Sequence, residues 1–91
     1  MAKRGYIVSG RVQGVGFRAF VRDLGLHYGL AGAVWNTSTR DVEVVAEHNS
    51  VEILSQFEAD LWNGPGRVED VKRTDGSPYS VGPRFEIWPT R

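Results

Sequence analysis

The hydrophobic pattern of this chain changes period at residues 13–16, and that change fixes where the first strand must end and the first helix begin. Before it, small and apolar residues alternate along one side of a strand: Tyr6, Val8, Gly10 and Val12. After it, apolar residues recur at helical spacing: Phe17, Phe20, Val21, Leu24 and Tyr28. Gly29 then fits the C-terminal stop of a helix. The sequence therefore predicts a strand that turns directly into a helix through a glycine-rich segment.

The rest of the pattern predicts three or four more strands and one more helix. Residues 32–36 and 41–48 suit two strands, and the short polar segment 37–40 between them suits a hairpin turn. Asn49 or Ser50 can cap a helix whose apolar stripe ends near residue 63. Residues 68–74 form a weaker strand pattern, residues 75–83 a loop with two glycines and two prolines, and residues 85–88 a short final strand.

This element order predicts the split βαβ arrangement of a ferredoxin-like α+β sandwich. We expect an antiparallel sheet of four to five strands with both helices on one face. The chain has 91 residues and shows no internal repeat or linker, so residues 1–91 are expected to form a single domain.

Composition limits the kinds of chemistry available. The chain has no cysteine, which excludes disulfides, thiolate metal sites and cysteine nucleophiles. Its formal net charge is zero, so any anion must be recognised locally. The first five residues are basic, but the apolar run that follows, residues 6–8, is too short for a signal peptide or a membrane span. We therefore expect a cytoplasmic protein without membrane partners.

The glycine-rich segment itself suggests an anion site. Gln13, Gly14, Val15 and Gly16 offer no Ser, Thr, Asp or Asn to cap the helix, so its first amides lack an obvious acceptor. Arg18 would face the positive end of the helix dipole, and a bound anion would turn that repulsion into attraction. The alternative is that the glycines only permit a tight turn and Arg18 points into solvent. The segment is not a Walker A loop, because Phe17 and Arg18 follow Gly16 where Lys and Ser or Thr would be required.

Residues 8–18, Val-Ser-Gly-Arg-Val-Gln-Gly-Val-Gly-Phe-Arg, resemble the first signature of the acylphosphatase family, and the resemblance continues through residues 32–36 and 42–47. It implies that the loop of Gln13, Gly14, Val15, Gly16 and Phe17, together with Arg18, binds the phosphoryl group. It also implies that Asn36 orients the attacking water. Four positions depart from the family pattern: Ala33, Trp35, Arg40 and His48.

At position 40 the family has a residue that adopts a positive φ without strain, whereas this chain has Arg40. This departure concerns the geometry of the hairpin that carries Asn36, and with it the position of Asn36. Trp35 is expected to be a partly buried packing residue.

The resemblance implies hydrolysis of an acyl phosphate to a carboxylate and inorganic phosphate. A carboxylate leaving group is weakly basic and needs no general acid, so a small site can suffice. His27 and His48 have no partners at metal-ligand spacing, and we expect neither a metal nor a cofactor. Two alternatives stay open: a phosphate-binding module without catalysis, and a ferredoxin-like RNA-binding domain, which the neutral charge disfavours. We expect small-molecule ligands, no nucleic acid and a monomeric chain.

Overall fold

The computed structural model describes residues 1–74 and 79–91, with seven elements in the predicted order. They are β1 (Ala2–Arg11), α1 (Phe17–His27), β2 (Ala31–Asn36), β3 (Val42–His48), α2 (Val51–Leu61), β4 (Arg67–Thr74) and β5 (Phe85–Ile87). The predicted ferredoxin-like α+β class is confirmed. β1 begins at Ala2, earlier than its alternating pattern suggests. Residues 75–78 of the predicted 75–83 loop lie outside the described residues.

The strands form one sheet in the order β4-β1-β3-β2-β5. β1 pairs antiparallel with both β3 and β4, and β2 pairs antiparallel with β3. These four strands are the antiparallel sheet that the sequence predicts. β5 joins the edge of β2 in parallel, so the complete sheet is mixed. The direction of such a short edge strand depends on where the preceding segment delivers it, which an apolar pattern does not encode.

Both faces of the sheet are covered, each by a different part of the chain. The helices close one face over a core of Tyr6, Val8, Val12, Phe17, Val21, Leu30, Val34, Val42, Val44, Ala46, Leu54, Phe57, Leu61 and Phe85. On the other face Trp35 packs with Ala33 and Val45 beneath three residues of the C-terminal part of the chain, Tyr79, Val81 and Trp88. Trp35 is only 1% exposed, so it is a packing residue, as predicted, but a fully buried one.

The two helices begin in different ways. At α2, the Ser50 Oγ accepts a hydrogen bond from the Ile53 amide at 3.3 Å, so Ser50, of the two predicted candidates, is the cap. α1 starts after Gly16, and no side chain of the described residues caps it. Gly29, at φ 70°, ends α1, and the amides of Gly29 and Leu30 donate to the carbonyls of Leu26 and Gly25. That pair of bonds satisfies the last carbonyls of the helix.

Strand pairing brings the distant parts of the candidate site to one edge of the sheet. β1 and β2 are both antiparallel to β3, so their C-terminal ends, Arg11 and Asn36, lie at the same edge. β5 ends there too, because Ile87 pairs with Val34. The glycine-rich segment after β1 therefore meets the β2–β3 hairpin. Neither helix in the described parts of the chain has the length and apolar character that crossing a membrane requires.

Candidate active site

The segment between β1 and α1 exposes a row of backbone amides. Gly14 has φ 74° and Gly16 has φ 83°, a left-handed conformation that glycine adopts without strain. The first amide of the helix with an acceptor is that of Phe20, which donates to the Gly16 carbonyl at 3.1 Å. Within residues 1–74 and 79–91, the amides of residues 14–19 donate to no protein group. Alternating left-handed glycines and a free helix start form a concave set of donors suited to an anion.

These amides surround a cavity of about 210 Å³. It is lined by Val12, Gly14, Gly16, Phe17, Arg18, Ala19 and Ile87. Of the residues predicted to hold phosphate, four line this cavity, whereas the side chains of Gln13 and Val15 do not. A Cβ built on Gly14 or Gly16 would meet no atom within 4 Å, so both glycines are needed for their backbone conformation and the space beside them stays open.

Arg18 brings a positive charge to the same cavity. The residue is half-buried in the first turn of α1, where no acidic residue is present to balance it. In the described part of the chain its guanidinium has no hydrogen bond and no ion pair. The cation and the positive end of the helix dipole therefore adjoin the same space, and an anion there would be attracted by both.

Asn36, the last residue of β2, lies at the same edge of the sheet. It pairs with Val42, a core residue under the helices, and therefore faces the helix side. Its Oδ1 is buried and has no hydrogen-bond partner among the described residues. Asn36 does not line the 210 Å³ cavity, but Val34, two residues before it, pairs with Ile87, which does. A buried acceptor without a donor is unfavourable by about 1–3 kcal/mol, so this oxygen is suited to accept from a bound water.

Gln13 ties the amide-rich segment to the hairpin that carries Asn36. Its Nε2 donates to the carbonyls of Thr37, at 3.0 Å, and Asp41, at 2.8 Å. The Thr37 amide also donates to the Asp41 carbonyl, which closes the turn. The Gln13 Nε2 is thus engaged by the hairpin and is not a free donor for a ligand. In the sequence, the one sign of this link is that Gln13, which has a long amide side chain, lies just after β1, at the end of the sheet where the β2–β3 hairpin turns.

Arg91 holds the other side of the same hairpin, a role that the sequence pattern does not reveal. Its amide donates to the Asn36 carbonyl and its carbonyl accepts from the Ser38 amide, both at 2.9 Å. Its guanidinium carbon lies 5.1 Å from the ring centroids of Tyr79 and Trp88 and 5.8 Å from that of Trp35. Cation–π contacts of this kind are attractive, and they anchor the segment that covers β2.

Glu43 lies beside this aromatic cluster, opposite Trp35 in the β2–β3 register. Burial raises the pKa of its carboxyl group above the ordinary value, and the charge of Arg91 lowers the pKa by a smaller amount. The carboxylate is thus less well solvated in the folded protein than in the unfolded chain.

The histidines take part in local contacts at the other side of the molecule or at a helix end. His48 Nδ1 accepts from the Ser50 amide at 2.8 Å, and His27, the last residue of α1, packs edge-on against Tyr28. Among the residues that the structure describes, no three His, Asp or Glu side chains are grouped so that they could hold a metal ion.

The family model, two related sequences and a solved structure that match this chain all belong to the same family. The family model described as Acylphosphatase matches residues 4–87. An acylphosphatase of Koribacter versatilis is 43% identical over 86 residues, which cover 92% of this chain and 77% of that protein. One of Xanthomonas oryzae pv. oryzae is 44% identical over 80 residues, 86% of each chain. The crystal structure of acylphosphatase from Bacillus subtilis superimposes with a TM-score of 0.87 at 37% identity, covering 97% of this chain and 99% of that one.

Proposed function

Because this chain belongs to the acylphosphatase family, and its activity is the hydrolysis of acyl phosphates, we propose how its own residues perform that reaction. The bond broken joins a carboxyl group to a phosphate, and the products are a carboxylate and inorganic phosphate. The observation that carries the proposal is the cavity at the start of α1, where amides and the Arg18 guanidinium, all without a partner among the described residues, adjoin one space.

In the proposed complex, the phosphoryl group occupies this cavity. The backbone amides of residues 13–18 donate to its oxygens, and Arg18 contributes a planar, permanently charged donor fork. In phosphoryl transfer, charge spreads over the equatorial oxygens in the transition state. Fixed donors aimed at those oxygens then lower the barrier without any reorganisation.

Asn36 is proposed to position the water. Its Oδ1, buried and without a partner in residues 1–74 and 79–91, can accept a hydrogen bond from a water molecule and direct the water's lone pair at phosphorus, opposite the leaving carboxylate. Gln13 and Arg91 act on its placement, because one bonds the turn after it and the other bonds its carbonyl. Both are positioning residues in this scheme.

Proton transfer needs no strong base here. We propose that a phosphoryl oxygen of the substrate takes the proton of the attacking water. The leaving carboxylate has a conjugate-acid pKa of about 4, as judged from side-chain carboxyls, and departs without protonation at neutral pH.

We also propose that the enzyme works in the cytoplasm as a monomeric single domain, without a metal, cofactor, nucleic acid or membrane. The comparisons do not favour the RNA-binding alternative.

The test is steady-state hydrolysis of benzoyl phosphate by the wild type, Arg18→Ala and Asn36→Ala. Removing one preorganised donor typically lowers kcat by about 10²–10³-fold, and we expect a loss of that size in each variant. Arg22→Ala is the matched control, since Arg22 lies on the same helix and pairs with Asp23 at the surface. Wild-type turnover in either test variant would remove that residue from the mechanism.

Calorimetric titration with inorganic phosphate separates the two roles. Arg18→Ala should lose phosphate affinity, whereas Asn36→Ala should bind phosphate normally and still fail to hydrolyse substrate. Equal phosphate affinity in the wild type and Arg18→Ala would contradict the assignment of Arg18 to the phosphoryl group.

A further inference from the structure

Three aromatic side chains lie around the Arg91 guanidinium, on the face of the sheet away from the helices. They are Trp35 of β2 and, from the C-terminal part of the chain, Tyr79 and Trp88, and we call them the aromatic cage. Trp35 and Trp88 are stacked with 5.2 Å between their ring centroids, and Tyr79 meets both rings edge-on. The faces of aromatic rings carry partial negative charge, so such a cage attracts organic cations.

Each ring of the aromatic cage is held by contacts that do not involve Arg91. Trp35 belongs to β2, where it is buried in the sheet. The Trp88 amide donates to a backbone carbonyl of β2 at 2.8 Å. The Tyr79 carbonyl accepts a hydrogen bond from the ammonium group of Lys3. The three rings should therefore keep their arrangement when the Arg91 side chain leaves, which makes the cage a preformed site.

The Arg91 side chain is held only weakly in the cage. The residue is exposed, and its guanidinium has neither a hydrogen bond nor an ion pair within residues 1–74 and 79–91. Its guanidinium carbon lies 5.1 Å from two of the ring centroids and 5.8 Å from the third. Cation–π contacts at exposed sites are individually weak, so this side chain can exchange with a cation from solution.

The Glu43 carboxyl group adds a negative charge beside the cage. Glu43 lies directly opposite Trp35 in the β2–β3 register, and the two side chains therefore share one face of the sheet. Within the described parts of the chain its carboxylate forms no ion pair. Arg91 is near enough to lower the pKa of Glu43, but burial raises that pKa by more. Three rings beside a carboxylate that no cation pairs with are suited to recognise an organic cation.

We propose that the aromatic cage is a binding site for a small guanidinium compound from solution, which takes the place of the Arg91 side chain. The guanidinium group is the cation that the cage already accommodates, and it is planar, weakly hydrated and able to stack on aromatic faces. The exchange also reaches the active site. The Arg91 amide and carbonyl bond the Asn36 carbonyl and the Ser38 amide, so loss of the side-chain anchor loosens the hairpin and slows turnover.

The binding experiment compares methylguanidinium, the head group of arginine, with N-methylurea, its neutral isostere. Fluorescence is followed in a Trp62→Phe background, where the two remaining tryptophans both belong to the cage. We expect saturable quenching by methylguanidinium with a Kd on the order of 10 mM, well below the molar concentrations at which guanidinium unfolds proteins. N-methylurea, and sodium chloride at equal ionic strength, should produce no such change.

Arg91→Ala tests the exchange, because it removes the resident cation. Its affinity for methylguanidinium should rise by about tenfold, the gain expected if Arg91 fills the cage in about nine molecules of ten. Trp88→Leu should lose the binding, which Trp35 fluorescence still reports. Arg22→Ala is the matched control and should bind as the wild type does, because Arg22 lies on α1 and pairs with Asp23. Thermal unfolding of each variant checks that it is folded.

Turnover gives the second readout. Saturating methylguanidinium should lower kcat for benzoyl phosphate by about fivefold in the wild type and leave the already loosened Arg91→Ala unchanged. Unchanged wild-type kcat at a concentration that saturates the quenching would overturn the link to the active site. Absence of quenching in Arg91→Ala, or equal quenching by N-methylurea, would overturn the binding site itself. Quenching in a protein that hydrolyses no benzoyl phosphate would sustain the cage and refute the proposed function.

Discussion

Replacing Arg40 with glycine should stabilise the protein. At φ 70° an L-residue loses about 1–2 kcal/mol relative to an unstrained conformation, and glycine does not. Glycine in turn loses about 0.5–1 kcal/mol more backbone entropy on folding than other residues. Between the middle values of these two ranges, the difference leaves Arg40→Gly more stable by about 0.75 kcal/mol. For a domain of this size, 1 kcal/mol corresponds to about 4–8 °C in Tm, so the expected rise is about 3–6 °C.

Urea denaturation and thermal melting followed by circular dichroism measure this change, and two controls isolate its cause. Arg40→Ala removes the charge but keeps a side chain at positive φ, so it should gain none of the conformational term. Ser38→Gly lies in the same hairpin at a position without positive φ, and it should lose stability. If Arg40→Gly were no more stable than Arg40→Ala, backbone strain at this turn would not be the reason.

Three further predictions concern the site and its support. Gly16→Ala should lose about 1–2 kcal/mol of stability from its φ of 83° and bind phosphate more weakly, measured by denaturation and calorimetry; unchanged values would contradict the role given to its conformation. Gln13→Ala breaks two bonds to the hairpin, so stability should fall by about 1–3 kcal/mol and kcat for benzoyl phosphate should fall with it; lost stability with wild-type kcat would limit Gln13 to folding. Glu43→Gln should be more stable than the wild type at pH 7, because the raised pKa of Glu43 means that folding disfavours its ionised form. The gain should disappear at pH values below the ordinary pKa of 4.5, where Glu43 is protonated in both the folded and the unfolded state. Denaturation measured as a function of pH tests this, and a gain that persists at low pH would contradict this cause.

Local signals were sufficient to predict most of the fold. The change of period at residues 13–16, the Ser50 cap and the Gly29 stop each depend on a few neighbouring residues, and the structure has all three features. Arg40 takes the positive φ expected at its position, since the hairpin turn requires it whichever residue is present. The parallel direction of β5 was not predictable in this way, because it depends on the path of the preceding segment.

The contacts that support the candidate site could not be predicted from the sequence either, because they join residues that are distant in the chain. The Gln13 side chain reaches the hairpin only because strand register brings the ends of β1 and β2 together. The Arg91 contacts require Tyr79, Val81 and Trp88 to pack over Trp35. Neither the Gln13 contacts nor the Arg91 contacts produce a periodic pattern in the sequence from which they could be predicted. The catalytic roles of Arg18 and Asn36, and the phosphate contacts of residues 13–18, stay predictions until the variants are measured.

The strand order β4-β1-β3-β2-β5 has a kinetic consequence. Every neighbouring pair in the sheet except β2–β3 joins strands that are distant in the chain, and Asn36 is held by the amide of Arg91 from the far end of the sequence. Long loops must close before such contacts form, which slows folding relative to a helical bundle of the same size. In a refolding experiment, helical signal should return first, and the ability to turn over benzoyl phosphate should return only with the last phase.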